Sequence, residues 1–423
     1  MIDEAGPWGT GPFTLVQGAS SITTRSAIMS GDPFACSWLI ESEQRDATVV
    51  LEANPTHRNT GRGPRVQRAV FRNDLTPDRA LELCLTIDGE VDIVTEVSPA
   101  DAARVQASTH AKLVAADANR VLLGIVNRAP RDVPLDDADV RRALNYAVDR
   151  RRVVEEGFAG HATALSALTP PWCSGFPANA EPYPYDPAQA RALLGDRWPS
   201  ERALRLATPE AFAGIAQLVA GDVRAALGIP VEVMVVPEAA MPAGARALVE
   251  GKLALPWDVL LFGWFDLSSE APPAAVHREF FGRDGAFRAG PELPEFNRLF
   301  DDMRVQLDGK RLVEVAERID RHVRDEALAL FLCAPQALYA VNNSVDFGPY
   351  RTTFEIAEVT VAEDHWSRTA GGGSATPTGT GDGSAVTDGA AMGGTAGYGA
   401  GAETAGDAAQ AKPGFSGAAG NAC

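Results

Sequence analysis

The stretch from Val121 to Arg150, VLLGIVNRAPRDVPLDDADVRRALNYAVDR, decides the fold class. Val121–Val126 is a continuous apolar run, and a run this short suits a strand buried on both faces. Asp136 is placed to cap a helix, and Asp137 and Asp139 favour the positive end of its dipole. Val140, Ala143, Leu144, Ala147 and Val148 then recur at helical spacing and form one apolar stripe. The opposite face carries Arg141, Asn145, Asp149 and Arg152, and Gly157 can end the helix by taking positive φ. A strand of this kind beside a one-sided helix implies an α/β body.

The same alternation extends in both directions. Asp46–Ala53 and Val66–Arg72 read as strands joined by a polar, Gly/Pro-rich turn. A helix opens at Thr76-Pro77, with Pro at its first position, and ends at Gly89. A short strand over Val91–Val94 follows. Asp186-Pro187 opens another helix that Gly195 closes, and Pro209–Leu227 is a third. The strand VEVMVV follows Gly228-Ile229-Pro230, and Trp257–Trp264 is a further strand. Asp301–Leu332 reads as mostly helical, with Leu312, Val315, Ala316, Ile319 and Val323 on one face. Leu338–Val341 is a closing strand. Beyond Thr369 small residues dominate and large apolar ones are nearly absent, so this tail is expected to be disordered.

Composition narrows function. The chain has 423 residues, 45% of them hydrophobic, with 38 Lys plus Arg against 56 Asp plus Glu, a formal charge of −18. Such a surface repels phosphate backbones and anionic lipid, which argues against general nucleic-acid or membrane binding. No run of roughly 18 apolar residues is present to span a bilayer. The start of the chain is acidic and polar, unlike a secretory signal. The five cysteines are widely spaced and form no CxxC or Cys/His cluster, so zinc and redox-motif readings fall away. Cys84 and Cys333 are expected to be buried free thiols. The six histidines show no paired metal spacing. HExxH, GxSxG and GxxxxGK[ST] are all missing, and Gly9–Phe13 is a turn rather than a phosphate loop.

One segment stands out: Gly263-Trp264-Phe265-Asp266-Leu267-Ser268-Ser269-Glu270. A strand ends here, and residues leaving the carboxyl end of a strand often line a ligand crevice in α/β folds. A Trp can pack against a ligand and a carboxylate can pair with an amine. The bland alternative is a Trp plugging the core and an Asp capping a turn.

Five pieces occur in one order: Gly9-Thr10-Gly11-Pro12-Phe13; Asn54-Pro55; Asp136–Arg150; Tyr185–Leu194 (YDPAQARALL); and Trp257-Asp258-Val259 running into Gly263-Trp264. Together they resemble the family 5 extracellular solute-binding proteins, the receptors of dipeptide, oligopeptide and nickel ABC importers. The resemblance implies a two-lobed, type II flytrap fold with its first lobe incomplete, since family chains run long before the GTGPF segment. It places 1–126 in the first lobe and 127–334 in the second. Residues 335–368 would return to the first lobe, with 369–423 as the tail. The crossings near Ile125–Asn127 and Leu332–Gln336 would form the hinge. It implies a non-catalytic protein, without cofactor or metal, that captures a small peptide or similar amine-bearing solute between its lobes. Closure follows because the ligand binds the closed state better. The partners implied are that solute and a membrane permease; the chain is expected to be a monomer acting in the periplasm or outside the cell. The ligand-binding candidates are Trp264, Asp266, Phe265, Ser268 and Asn127. Two departures stand against the family pattern: Asp266 comes one position early in GWFD, and Asn54-Pro55 leads into Thr56-His57-Arg58 rather than an aromatic. An intracellular sensor that kept the receptor fold is the alternative.

Overall fold

The structure is a computed structural model. It describes residues 10–18, 20–29, 36–86, 90–237, 240, 256–265, 274–283, 285, 288–351, 354–369 and 421–422. Beyond Thr369, the expected tail lies outside the described residues except at 421–422. The chain divides into two compact units, one mostly from Asp117–Gln336, the other mostly from Ile40–Ala116 and the chain after Ala337.

The larger unit is built on a six-stranded sheet. Its order is Val231–Val236, Leu204–Pro209, Val259–Phe265, Arg120–Val126, Ala329–Pro335, Ala162–Ala164. The first three strands run parallel, and Arg120–Val126 runs antiparallel to both its neighbours. Both faces are covered. Val121, Leu123 and Ile125 enter one core, with side chains from the helices Ala274–Phe281, Pro294–Arg304 and Gly309–Asp325. Leu122 and Val126 enter the other, with the helices Ala138–Tyr146 and Ala213–Leu227. The short apolar run is therefore a strand buried on both faces, as its composition requires.

The following helix departs from the reading in three ways. Asp137, not Asp136, caps it by accepting the Asp139 amide at 2.8 Å. It stops at Tyr146, because Asp149 starts a new turn by accepting the Arg152 amide at 3.2 Å. Its polar face is also buried: Arg141 donates to the carbonyls of Glu326, Ala327, Leu135 and Asp136, and Asn145 donates to that of Ala329. Polar side chains that serve another segment's backbone are stable inside a core. Asp301–Leu332 is mostly helical as read, but its last four residues belong to a strand. It holds the end of one helix, the whole of Gly309–Asp325, and then the start of the strand Ala329–Pro335.

The smaller unit holds two three-stranded sheets. Phe13–Gln17, Thr48–Ala53 and Arg68–Arg72 form an antiparallel one. In the other, Ala337–Asn342 lies between Ile93–Val94 and Ala111–Ala116. That places the closing strand beside segments from early in the chain. The helix Pro77–Cys84 covers this sheet with Leu81 and Cys84, and Thr76 caps it by accepting the Arg79 amide.

The unit boundary falls at Ala116–Asp117, before the strand Arg120–Val126, whereas the sequence reading drew it after Val126. The strand's pairings to Val259–Phe265 and Ala329–Pro335 put it at the heart of the larger unit.

Candidate functional site

Strand direction singles out one end of the larger unit's sheet. Phe265 pairs with Arg120, Cys333 with Leu122, and Pro335 with Ala162. The carboxyl ends of Leu204–Pro209, Val231–Val236 and Val259–Phe265 therefore lie together with that of Ala329–Pro335. Two of the covalent links to the other unit, at Ala116–Asp117 and Gln336–Ala337, leave from this end. The carboxyl ends of parallel strands are where α/β folds hold ligands.

Trp264 sits here. Period-two alternation puts it on the same face as Phe262, and it is only 4% exposed. Its ring lies 6.2 Å from that of Phe262 and 5.5 Å, nearly edge-on, from that of Phe280. Trp264 is thus packed into one core of the larger unit. It buttresses the strand end instead of presenting an open face. Gly263, on the opposite face, explains the Gly-Trp pair: a Cβ there would come within 2.9 Å of the Phe212 ring.

Side-chain ties hold the surrounding loops. The Trp172 indole donates to the Ala118 carbonyl at 3.1 Å, and the Cys173 thiol to Asn119 Oδ1 at 3.1 Å. Gln336 Nε2 donates to Asp117 Oδ1 at 3.1 Å, tying together the two chain crossings. Behind them, Asp320 is wholly buried and accepts the Leu168 and Thr169 amides at 3.3 and 3.0 Å. Its Oδ1 also lies 2.9 Å from His277 Nε2. A carboxylate that already accepts two amides takes a third donor, so His277 donates from Nε2. His277 lies on the helix that carries Phe280, so Asp320 links the loop before Trp172 to the wall behind Trp264.

The other expected residues divide. Phe265 ends the strand, while its side chain, Asp266 and Ser268 lie outside the described residues. Asn127 is placed at the opposite end of the sheet. Its amide donates to the Asp258 carbonyl at 2.8 Å, and its Nδ2 to the Trp257 carbonyl at 3.0 Å. Asp258 precedes Trp264 by six residues, so Asn127 and Trp264 stand about 20 Å apart along the sheet. They share no small-molecule site, and Asn127, 1% exposed, serves the backbone. The expectation that grouped them assumed a hinge near Asn127, but the crossing is at the start of that strand. Asp258 is structural too: it is fully buried and takes a two-pronged contact from Arg202, at 2.9 and 2.8 Å.

Sequence reasoning missed Trp172 and the His277–Asp320 pair. His277 was read as one of six unpaired histidines, and only the fold shows that residues 43 positions apart share a bond. Cys84, Cys173 and Cys333 are buried and in no disulfide. Burial pushes the Cys84 thiol up to about 12 and raises that of Cys333 as well. Among the described residues no cluster of His, Cys, Asp and Glu could hold a metal ion, and no helix is long and apolar enough to cross a membrane.

Comparison with known proteins identifies the family. The sequence model for "Bacterial extracellular solute-binding proteins, family 5 Middle" matches residues 32–281. The dipeptide-binding protein of Escherichia coli K12 is 27% identical over 191 residues, 45% of this chain and 30% of that protein. A probable di/tripeptide-binding protein 5 of Pseudomonas aeruginosa is 32% identical over 154 residues, 36% of this chain and 28% of that protein. The matched stretches thus span under a third of each curated relative. Among solved structures, the ABC transporter substrate-binding protein CtaP of Listeria monocytogenes superposes with a TM-score of 0.67 at 18% identity. It covers 84% of this chain and 67% of that one. NikA of Brucella suis, in complex with Fe(III)-EDTA, gives 0.64 at 17% identity, covering 84% and 68%. At such identities the structures attest the fold alone. The family match extends over more than half of the 423 residues, and the chain belongs to the bacterial extracellular solute-binding proteins of family 5.

Proposed function

We propose that this chain is the capturing component of an ABC importer, binding a small peptide or similar amine-bearing solute outside the cytoplasm for delivery to a membrane permease. The observation that carries the reading is the convergence at one sheet end. Four strands end there, the links at Ala116–Asp117 and Gln336–Ala337 leave from there, and Trp264 stands immediately before Phe265-Asp266-Leu267-Ser268. Asp266 supplies a carboxylate for a protonated amine through a charge-assisted hydrogen bond. Phe265 and Ser268 supply apolar and hydroxyl contact, with Trp264 holding the strand end in shape behind them. Capture of this kind breaks no bond, so no general acid or base is required.

The experiment is a thermal-shift screen of di- to hexapeptides, sugars and nickel salts on the full chain. A ligand that binds only the folded state at 100 times its dissociation constant adds about 2.7 kcal/mol. Stabilisation by peptides is expected. Stabilisation by sugars or nickel alone would contradict the reading.

A further inference from the structure

Between Glu52 and Asp74 the chain has five arginines, one histidine and no carboxylate, inside a protein of net charge −18. Arg58, Arg62, Arg65 and Arg68 are exposed. Arg72 is neutralised by a two-pronged contact with Asp74, both bonds 2.7 Å. Arg62 lies 3.6 Å from Glu358, with both side chains largely exposed, and such a pair is weak. Arg68 stands across the strand pair from Glu52 but makes no ion pair with it. Among the described residues, Arg58, Arg65 and Arg68 have no carboxylate within 4 Å.

The loop that carries these charges is held on several sides. Asn54 Nδ2 donates to the Gly11 carbonyl at 2.9 Å, while Asn54 Oδ1 accepts the Thr56 amide and hydroxyl at 3.0 and 2.8 Å. His57 Nδ1 donates to the Thr10 carbonyl at 2.9 Å. The Arg65 amide donates to the Ala357 carbonyl at 3.1 Å. Gly63, at φ +102°, lies so close to Ala357 that a Cβ would strike its carbonyl oxygen. The arginines are therefore presented from a fixed backbone, which lowers the ordering cost of binding.

We infer that this loop is a docking surface for a carboxylate-rich face of another protein. Guanidinium forks match carboxylates in two-pronged geometry. Screening also selects the partner. At about 0.1 M salt a charge is felt over roughly 10 Å, so a discrete acidic patch meets the arginines and little of the negative body. A continuous anionic bilayer would meet that body as well. From Pro55 to Arg68 the exposed residues, among those described, are Pro, Thr, Asn, Gly, Gln and Arg, and Val70 on the strand that follows is a lone small aliphatic side chain, too little to anchor at a membrane interface. The inference is independent of how the solute is held, and each can fail alone.

The test uses the full chain, high-molecular-weight poly-L-glutamate as the acidic probe, and vesicles of phosphatidylcholine with phosphatidylglycerol. The variant is Arg58→Ser/Arg65→Ser/Arg68→Ser, with Arg58→Lys/Arg65→Lys/Arg68→Lys as the charge-preserving control. Expected are salt-sensitive binding of poly-L-glutamate, a loss of at least about tenfold in the serine variant, most of the binding kept by the lysine control, and no co-sedimentation with vesicles. The same affinity in wild type and serine variant would overturn the inference. So would an absence of poly-L-glutamate binding, or vesicle binding that depends on the three arginines.

Discussion

Replacing Asp320 with alanine tests how the larger unit holds its loops. The side chain is fully buried and accepts three donors: the Leu168 and Thr169 amides and His277 Nε2–H. Alanine strands all three away from water. Each buried, unpaired donor costs about 1–3 kcal/mol, so three independent ones would cost about 3–9 kcal/mol. The three sites share one carboxylate and relax together, so the lower part of the summed range applies and the expected loss is about 3–5 kcal/mol. Against a total stability of about 5–15 kcal/mol the protein stays folded but with a much smaller margin. Asp320→Asn keeps one acceptor oxygen and should lose about half as much. Urea unfolding followed by tryptophan fluorescence reads the shift in midpoint, provided the slope is unchanged between variants. A loss below about 1 kcal/mol for Asp320→Ala would refute the reasoning, because the donors would then have found other partners at no cost.

Two further predictions follow from burial and backbone geometry. The Cys84 thiol ordinarily titrates near 9.0 and is pushed up to about 12 by burial. Its contribution to stability is therefore complete below about pH 9 and is lost as the pH rises toward 12, because only the unfolded chain ionises readily in that window. A denaturation series in that range should show falling stability, reduced in Cys84→Ala. Gly63→Ala should destabilise the smaller unit by about 1–3 kcal/mol, through positive φ and collision with the Ala357 carbonyl. An unchanged melting temperature would count against that packing.

Much of the larger unit was legible because its signals are local. The Val121–Val126 run and the Val140/Ala143/Leu144 stripe each reflect burial within one element, and each lies in the cores of the larger unit. What escaped was long-range. Leu328–Leu332 is apolar in both a helix and a strand, so the turn at the end of Gly309–Asp325 left no periodic trace. Arg141 and Asn145 look like a solvated face, yet their partners are carbonyls nearly two hundred residues away. The same limit governs the site. Trp264 was singled out by its neighbours in sequence, but pairing Asn127 with it required knowing which way the strand Arg120–Val126 runs. That direction comes from pairing register, which local pattern does not carry.

The central claim, that an amine-bearing solute is held at the end of the Val259–Phe265 strand, is tested most directly by calorimetric titration. A peptide that stabilises the full chain would be titrated into wild type and Asp266→Asn. A hydrogen bond to a charged group is worth about 1.5–3 kcal/mol. The account therefore predicts affinity weaker by roughly 10- to 150-fold in the variant, with an unchanged melting temperature for the ligand-free protein. Equal affinity in the two proteins would contradict it.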